Sequence, residues 1–263
     1  LVEHPDVAMV SVTGSVAGGG AIAQAAAPTI KRVHQELGGK SPNILMPDAD
    51  FPAAVKMGVM LCMMAAGQVC AAPTRMIVPE DRFEEVAELA IAAAEGLKVG
   101  PPDVEGTNFG PLSNRAQFER VNGIIADAIS SGESLLTGGP GRPEGLERGW
   151  FAHPTIFGPV APDARIAREE IFGPVLCILT YRDLDHAVEV ANATDYGLAA
   201  WIAGTDVEQA RRLGARIRAG YVNINYPPWT PDAPFGGYGR SGNGRQYGVW
   251  GFEEFLELKA VVG

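Results

Sequence analysis

Val175-Leu-Cys-Ile-Leu-Thr-Tyr181, Leu184-Asp-His-Ala-Val-Glu-Val-Ala-Asn-Ala193, Leu198-Ala-Ala-Trp-Ile-Ala203, Asp206-Val-Glu-Gln-Ala-Arg-Arg-Leu-Gly-Ala-Arg216 and Tyr221-Val-Asn-Ile-Asn225 follow one another along the chain. Three short β-rich runs alternate with two amphipathic helical runs, and that alternation specifies an α/β fold. A Thr205–Glu208 capping box opens the second helix. Nearer the start of the chain, Ala8–Val12 reads as a buried strand and Gly14–Ala27 as a Gly-rich turn opening a small-residue helix. Asp50 caps a helix over Phe51–Ala66, with Pro52 tolerated in its first turn. Thr74–Val78 is a strand. Asp81–Glu95 is a helix ended by Gly96, with Phe83, Val86, Ala90 and Ala93 on one face. Ser113 caps a helix with the stripe Phe118, Val121, Ile125 and Ala128. Gly138–Gly149 is a glycine-rich loop, and Phe255–Val262 reads as a last strand.

The 263 residues carry 31 acidic against 21 basic side chains, a net charge of −10. Such a chain cannot neutralise a phosphate backbone, which excludes nucleic acid as a partner. No basic run would hold it on an anionic membrane, and the charge-free stretches lack the sustained hydrophobicity of a spanning helix. No secretory leader is evident, and the chain opens at Leu1 rather than Met, which points to a truncated or processed product. Three cysteines without a C-x-x-C pair argue against disulfides and zinc. Four scattered histidines share no paired spacing, so no metal is expected. The default compartment is the cytoplasm.

Gly18, Gly20 and Ala23 fit G-x-G-x-x-A after the first strand, and Gly237, Gly239 and Gly242 fit G-x-G-x-x-G. The first lacks a ribose-binding acid at the usual distance, and the second leaves too little chain for a βαβ unit. Neither is a standard fingerprint, although amides at the helix start from Gly14-Ser15 attract anions. Cys70 lies in Ala-Ala-Gly-Gln-Val-Cys-Ala-Ala-Pro-Thr-Arg, where small flanks let a substrate near the sulfur. Cys62 and Cys177 sit in apolar runs and read as core. Glu36, in Glu-Leu-Gly-Gly-Lys-Ser-Pro-Asn, precedes two glycines, a setting that lets a general base swing. Taken alone, Cys70 reads as either a nucleophile or a packed thiol, and Glu36 as either a base or an exposed loop carboxylate.

Glu36-Leu-Gly-Gly-Lys-Ser-Pro-Asn43 followed by Gly67-Gln-Val-Cys70 resembles the aldehyde dehydrogenase superfamily. VTGSVAGGG, EEIFGPV, ATDYGLAA, GYVNIN and PFGGYGRSGNGR agree in order over essentially the whole chain. Gln35 and Met63 depart from the usual apolar or aromatic residues beside these motifs. The resemblance implies a mostly parallel sheet flanked by helices, with an edge of a Rossmann-type cofactor domain. Residues 1–37 would close the cofactor domain, 38–235 form the catalytic domain, and 236–263 form a loop and an oligomerisation strand.

The same resemblance makes Cys70 the nucleophile and Glu36 the base that activates water. Gly14, Ser15 and Gly19 would hold the pyrophosphate of NAD or NADP. Leu37 would lie near the nicotinamide, and Glu170 and Phe172 would position its ribose. Tyr226 and Trp229 would shape the tunnel for a small aldehyde. Copies of the chain would assemble into an oligomer. Family chains are about twice as long, so the expectation is a C-terminal half. Two other readings stay open: a cofactor-independent thiol esterase or acyl-transferase, and a fragment with no catalysis.

Overall fold

A computed structural model describes residues 1–263. Its strands are β1 (Met9–Thr13), β2 (Arg32–Glu36), β3 (Pro42–Leu45), β4 (Arg75–Pro79), β5 (Leu135–Thr137), β6 (Thr155–Phe157), β7 (Val175–Tyr181), β8 (Ala199–Ala203), β9 (Tyr221–Ile224) and β10 (Gly242–Asn243). The helices are α1 (Val16–Ala26), α2 (Phe51–Met63), α3 (Phe83–Glu95), α4 (Arg115–Ser130), α5 (Arg165–Arg168), α6 (Leu184–Asn192), α7 (Val207–Gly214) and α8 (Gly248–Glu253).

Two sheets result. The larger has the order β5-β6-β7-β4-β3-β8-β9 and is parallel except for β5. All five β4 residues are buried, and so are six of the seven in β7, as in strands covered on both faces. The β3-α2-β4 connection moves one way across the sheet and β7-α6-β8 the other. Right-handed crossovers therefore put α2 and α6 on opposite faces. A continuous core of 46 buried residues fills the layers. The smaller sheet has the order β1-β2-β10: β1 is parallel to β2, with α1 crossing between them, and β10 is antiparallel. The α/β reading is borne out.

Several local expectations are corrected. The helix begun at Asp50 ends at Met63, not Ala66, because Ala65 and Ala66 turn left-handed, with φ of 51° and 58°. The α4 cap is Asn114, whose Oδ1 accepts from the Gln117 amide at 2.9 Å, rather than Ser113. The α7 cap is Asp206, accepting from the Gln209 amide at 2.8 Å. Thr205 instead gives its hydroxyl to Asp48. Phe255–Val262 forms no strand, since no neighbouring strand offers it a ladder. The sequence reading also missed β2, whose inward-facing residues are His34 and Glu36, the reverse of the usual apolar signal.

The segment from Leu37 to Ser41 carries the chain from the small sheet into the large one. Arg75, fully buried at the start of β4, anchors it. Its guanidinium donates to the carbonyls of Lys40 (2.8 Å), Val190 (2.9 Å) and Ala191 (2.7 Å), the last two near the end of α6. Burial lowers its pKa to about 10. Arg75→Leu strands three buried carbonyls and is expected to cost about 3–5 kcal/mol. Urea denaturation checks this, and a loss below about 1 kcal/mol would mean the anchor is dispensable.

Candidate active site

Cys70 reaches its position through a strained turn. Ala65, Ala66 and Gly67 are consecutively left-handed, and each non-glycine residue there costs about 1–2 kcal/mol. Neighbouring groups hold the turn. Gln68 donates to the Ala65 carbonyl at 2.9 Å and accepts from the Ser113 amide at 2.8 Å. Gly67 lies so close to the Gly173 carbonyl that any Cβ would collide with it. Gly39 backs onto the Cys70 carbonyl, where a Cβ would stand 2.7 Å away.

The Cys70 thiol is half-buried, whereas Cys62 and Cys177 are fully buried. Burial pushes Cys62 up to about 12. Burial also raises the Cys70 thiol, as do the carboxylates of Glu170 and Glu36, while the amides of Ala71 and Cys70 itself pull it down. The net direction is upward. The thiol is reachable, and its surroundings favour the protonated form.

Glu36 is not on a swinging turn. It ends β2, paired through Thr13 on one side and Gly242 on the other, and its carbonyl accepts from the Gly14 amide at 3.0 Å. Only its side chain is free to move. It is buried, not loop-exposed, and neither carboxylate oxygen has a hydrogen-bond partner. Burial raises it to about 7 against the opposing charge of Arg245. It therefore changes protonation near neutrality, as a general base must.

A cleft of about 510 Å³ at the start of α1 is lined by Ser15, Val16, Ala17, Arg120, Arg240 and Glu170, whose carboxylate also acts on the thiol, with Glu169 and Asp195 among the other lining residues. Ser15 Oγ accepts from the Gly18 amide at 3.1 Å, and the first-turn amides of α1 have no intrahelical acceptor. An anion of pyrophosphate size meets donors and the positive end of a helix there. Gly19 brings α1 against Leu37, whose Cδ2 would be 2.6 Å from a Cβ. Glu170 Oε1 accepts from the Gly39 amide at 3.1 Å. Phe172 is left-handed, with φ of 55°, and is exposed.

Two residues behind this loop escaped the sequence reading. Gln117 donates to the carbonyls of Ile171 (3.0 Å) and Phe172 (2.7 Å). Arg120 donates to those of Ile171 (2.6 Å) and Glu170 (2.7 Å). Their i, i+3 spacing on α4 was the available signal.

An apolar pocket of about 340 Å³ opens beside the residues flanking Cys70, Val69 and Ala71. Met57, Leu61, Met64, Trp201, Tyr226, Trp229 and Phe235 line it, and no charged side chain does. The Tyr226 hydroxyl lies 3.0 Å from Asn43 Oδ1 and 3.1 Å from the Ala54 carbonyl, so its polar end is tied to the scaffold. Trp229 meets Tyr247 edge-on at 5.3 Å. A larger groove of about 650 Å³, between Lys98 and His153, shares no residue with this site.

The sequence profile described as "Aldehyde dehydrogenase family" matches residues 1–261. A 3-succinoylsemialdehyde-pyridine dehydrogenase from a Pseudomonas species is 49% identical over 263 residues, covering 100% of this chain and 55% of that protein. An aldehyde dehydrogenase C from Pseudomonas syringae, solved as a cysteine-to-alanine mutant with NAD+ and octanal, superposes with a TM-score of 0.98. It is 57% identical and covers 99% of this chain and 54% of its own. A Mycobacterium tuberculosis aldehyde dehydrogenase solved with NAD+ superposes at 0.94 with 40% identity, covering 99% and 55% respectively. The chain spans about half the length of the relatives it matches. No helix is long and apolar enough to cross a membrane.

Proposed function

The chain belongs to the aldehyde dehydrogenase family, and from that premise we propose that it is the C-terminal, catalytic half of an enzyme that oxidises aldehydes to carboxylic acids with NAD or NADP. One observation carries the proposal: a reachable thiol, Cys70, is flanked by two residues of an uncharged pocket, Val69 and Ala71, and feels the carboxylates of Glu36 and of Glu170, the latter lining the cleft at the start of α1.

Ser15, the α1 amides, Leu37, Glu170 and Phe172 would hold the cofactor. When bound, its oxidised nicotinamide supplies the hydride acceptor. Cys70 gives its proton to solvent, its sulfur bonds to the aldehyde carbon, and the carbonyl π bond breaks to leave the charge on oxygen. The Cys70 and Ala71 amides, which favour the charged form of the sulfur, offer donors to the oxyanion. After oxidation a thioester remains on Cys70. Glu36 takes a proton from water, the oxygen adds to the thioester carbon, and the sulfur leaves. Glu36 must be ionised for this, so hydrolysis slows as pH falls through about 7.

Residues 1–37 are assigned to the cofactor domain, 38–235 to the catalytic domain and 236–263 to the closing loop and tail. The exposed Phe252, Phe255 and Leu258 suit contact with further copies of the chain. Three free thiols suit the cytoplasm.

The uncharged pocket favours an apolar aldehyde. Each methylene buried in it is worth about 0.8 kcal/mol, roughly fourfold in kcat/KM. Following reduced-cofactor absorbance in the full natural gene product across aldehydes of increasing chain length tests the assignment. A rise of tenfold or more over three methylenes is expected. Preference for an aldehyde bearing a carboxylate or ammonium group would overturn the substrate class. Ester cleavage without any cofactor reduction would favour the esterase reading.

A further inference from the structure

β2 turns two titratable side chains inward, and the mechanism above uses only one. His34 precedes Glu36 by two residues, so both side chains share the same face of the strand. Both are buried, and His34 Nε2 lies 3.5 Å from Glu36 Oε1. Nothing else bonds either atom. On β1, Ser11 stands directly opposite His34, and its hydroxyl lies 3.1 Å from His34 Nδ1.

Other elements close over the ring. Gly244 lies against it, where any Cβ would collide, and Phe255 meets it edge-on at 6.5 Å.

Resting on the assignment of Glu36 as the base, we propose that His34 is a positioning residue: its Nε2–H holds the Glu36 carboxylate in a parked state between hydrolytic steps. With the Ser11 hydroxyl donating to Nδ1, the ring proton belongs on Nε2, facing the carboxylate. The neutral ring fits its surroundings. Burial lowers the His34 pKa, with Glu254 and Arg245 acting in opposite senses. Glu254 is itself engaged, accepting from the Arg245 amide at 3.1 Å. Arg32, further along the same face, pairs with Glu257 at the solvent edge.

A separation of 3.5 Å is longer than an ordinary hydrogen bond, so the hold is weak and the carboxylate can leave. Bonding to the charged form lowers proton affinity. Removing the donor therefore raises the Glu36 pKa and moves the acid limb of hydrolysis to higher pH.

The test measures acylation and thioester hydrolysis separately, by rapid mixing across pH, in the full natural gene product. In His34→Leu the acid limb of hydrolysis is expected to move up by about half to one unit, with the acylation rate unchanged. His34→Gln, which keeps an N–H donor, returns the limb toward its original position. Ser11→Ala, which unlocks the ring, gives a smaller shift in the same direction and decides the matter if His34→Leu does not fold. An unmoved limb overturns the proposal, as does parallel loss of acylation and hydrolysis, the mark of a scaffold role. If Glu36→Gln leaves hydrolysis untouched, the assignment of Glu36 itself fails, whatever His34 does.

Discussion

Cys70→Ser is expected to remove aldehyde oxidation and ester cleavage together, on the order of 10⁴-fold or more in kcat/KM. A hydroxyl is far less acidic than a thiol. In this site the thiol itself is already held above its ordinary range by burial and two carboxylates. Serine at the same position would have no accessible ionised form. Cys62 and Cys177 cannot substitute. Both are fully buried, with their sulfurs directed at the Val175 and Ile166 carbonyls. Cys62→Ala is expected to leave activity per folded molecule unchanged, apart from a stability loss. Measuring both reactions in the two variants, with the folded fraction taken from circular dichroism, checks the pair. Cys70→Ser activity within tenfold of the natural protein would contradict the nucleophile assignment.

Glu36→Gln is expected to separate the two halves of the reaction. Acylation survives, because the glutamine keeps the shape of the side chain and the thiol remains. Thioester hydrolysis falls by about 10²–10⁴-fold, since the amide cannot take a proton from water. A rapid burst of reduced cofactor followed by slow turnover is the signature. The pH profile adds a second, independent reading. With a carboxyl group near 7, the natural protein loses hydrolysis as pH falls through that value, and the variant shows no such limb. Equal slowing of burst and steady state would place Glu36 in acylation instead.

The strands and helices from β7 to β9 were legible because their apolar residues follow the periods that packing requires. The small sheet was only half legible. Its strand β2 spends both inward positions on His34 and Glu36, so hydrophobic patterning could not reveal it. The turn at Ala65–Gly67 was illegible for a similar reason. Alanines favour helix, and the left-handed turn is held by contacts distant in sequence, from Gly173 against Gly67 and from the Ser113 amide to Gln68. The tail after α8 read as a strand on composition, but a strand needs a neighbour.

The site divided along the same line. Cys70 was visible from its small flanks and its motif, and Tyr226 and Trp229 line the apolar pocket beside its neighbours Val69 and Ala71. Glu36 stood out in the sequence by its motif, but its burial, and with it the upward shift of its pKa, depends on strands distant in sequence. Gln117 and Arg120 bind carbonyls some fifty residues away. Their i, i+3 spacing puts the two on one helix face, but nothing local identifies the carbonyls they bind.

In the proposed reaction, carbon from the substrate becomes bonded to one particular sulfur. Incubating the Glu36→Gln variant of the full gene product with an apolar aldehyde and NAD+, then mapping the added mass by peptide mass spectrometry, tests it directly. An acyl group is expected on the peptide containing Cys70, absent when NAD+ is withheld. An unmodified Cys70 alongside continued cofactor reduction, or an acyl group on Cys62 or Cys177, would contradict it.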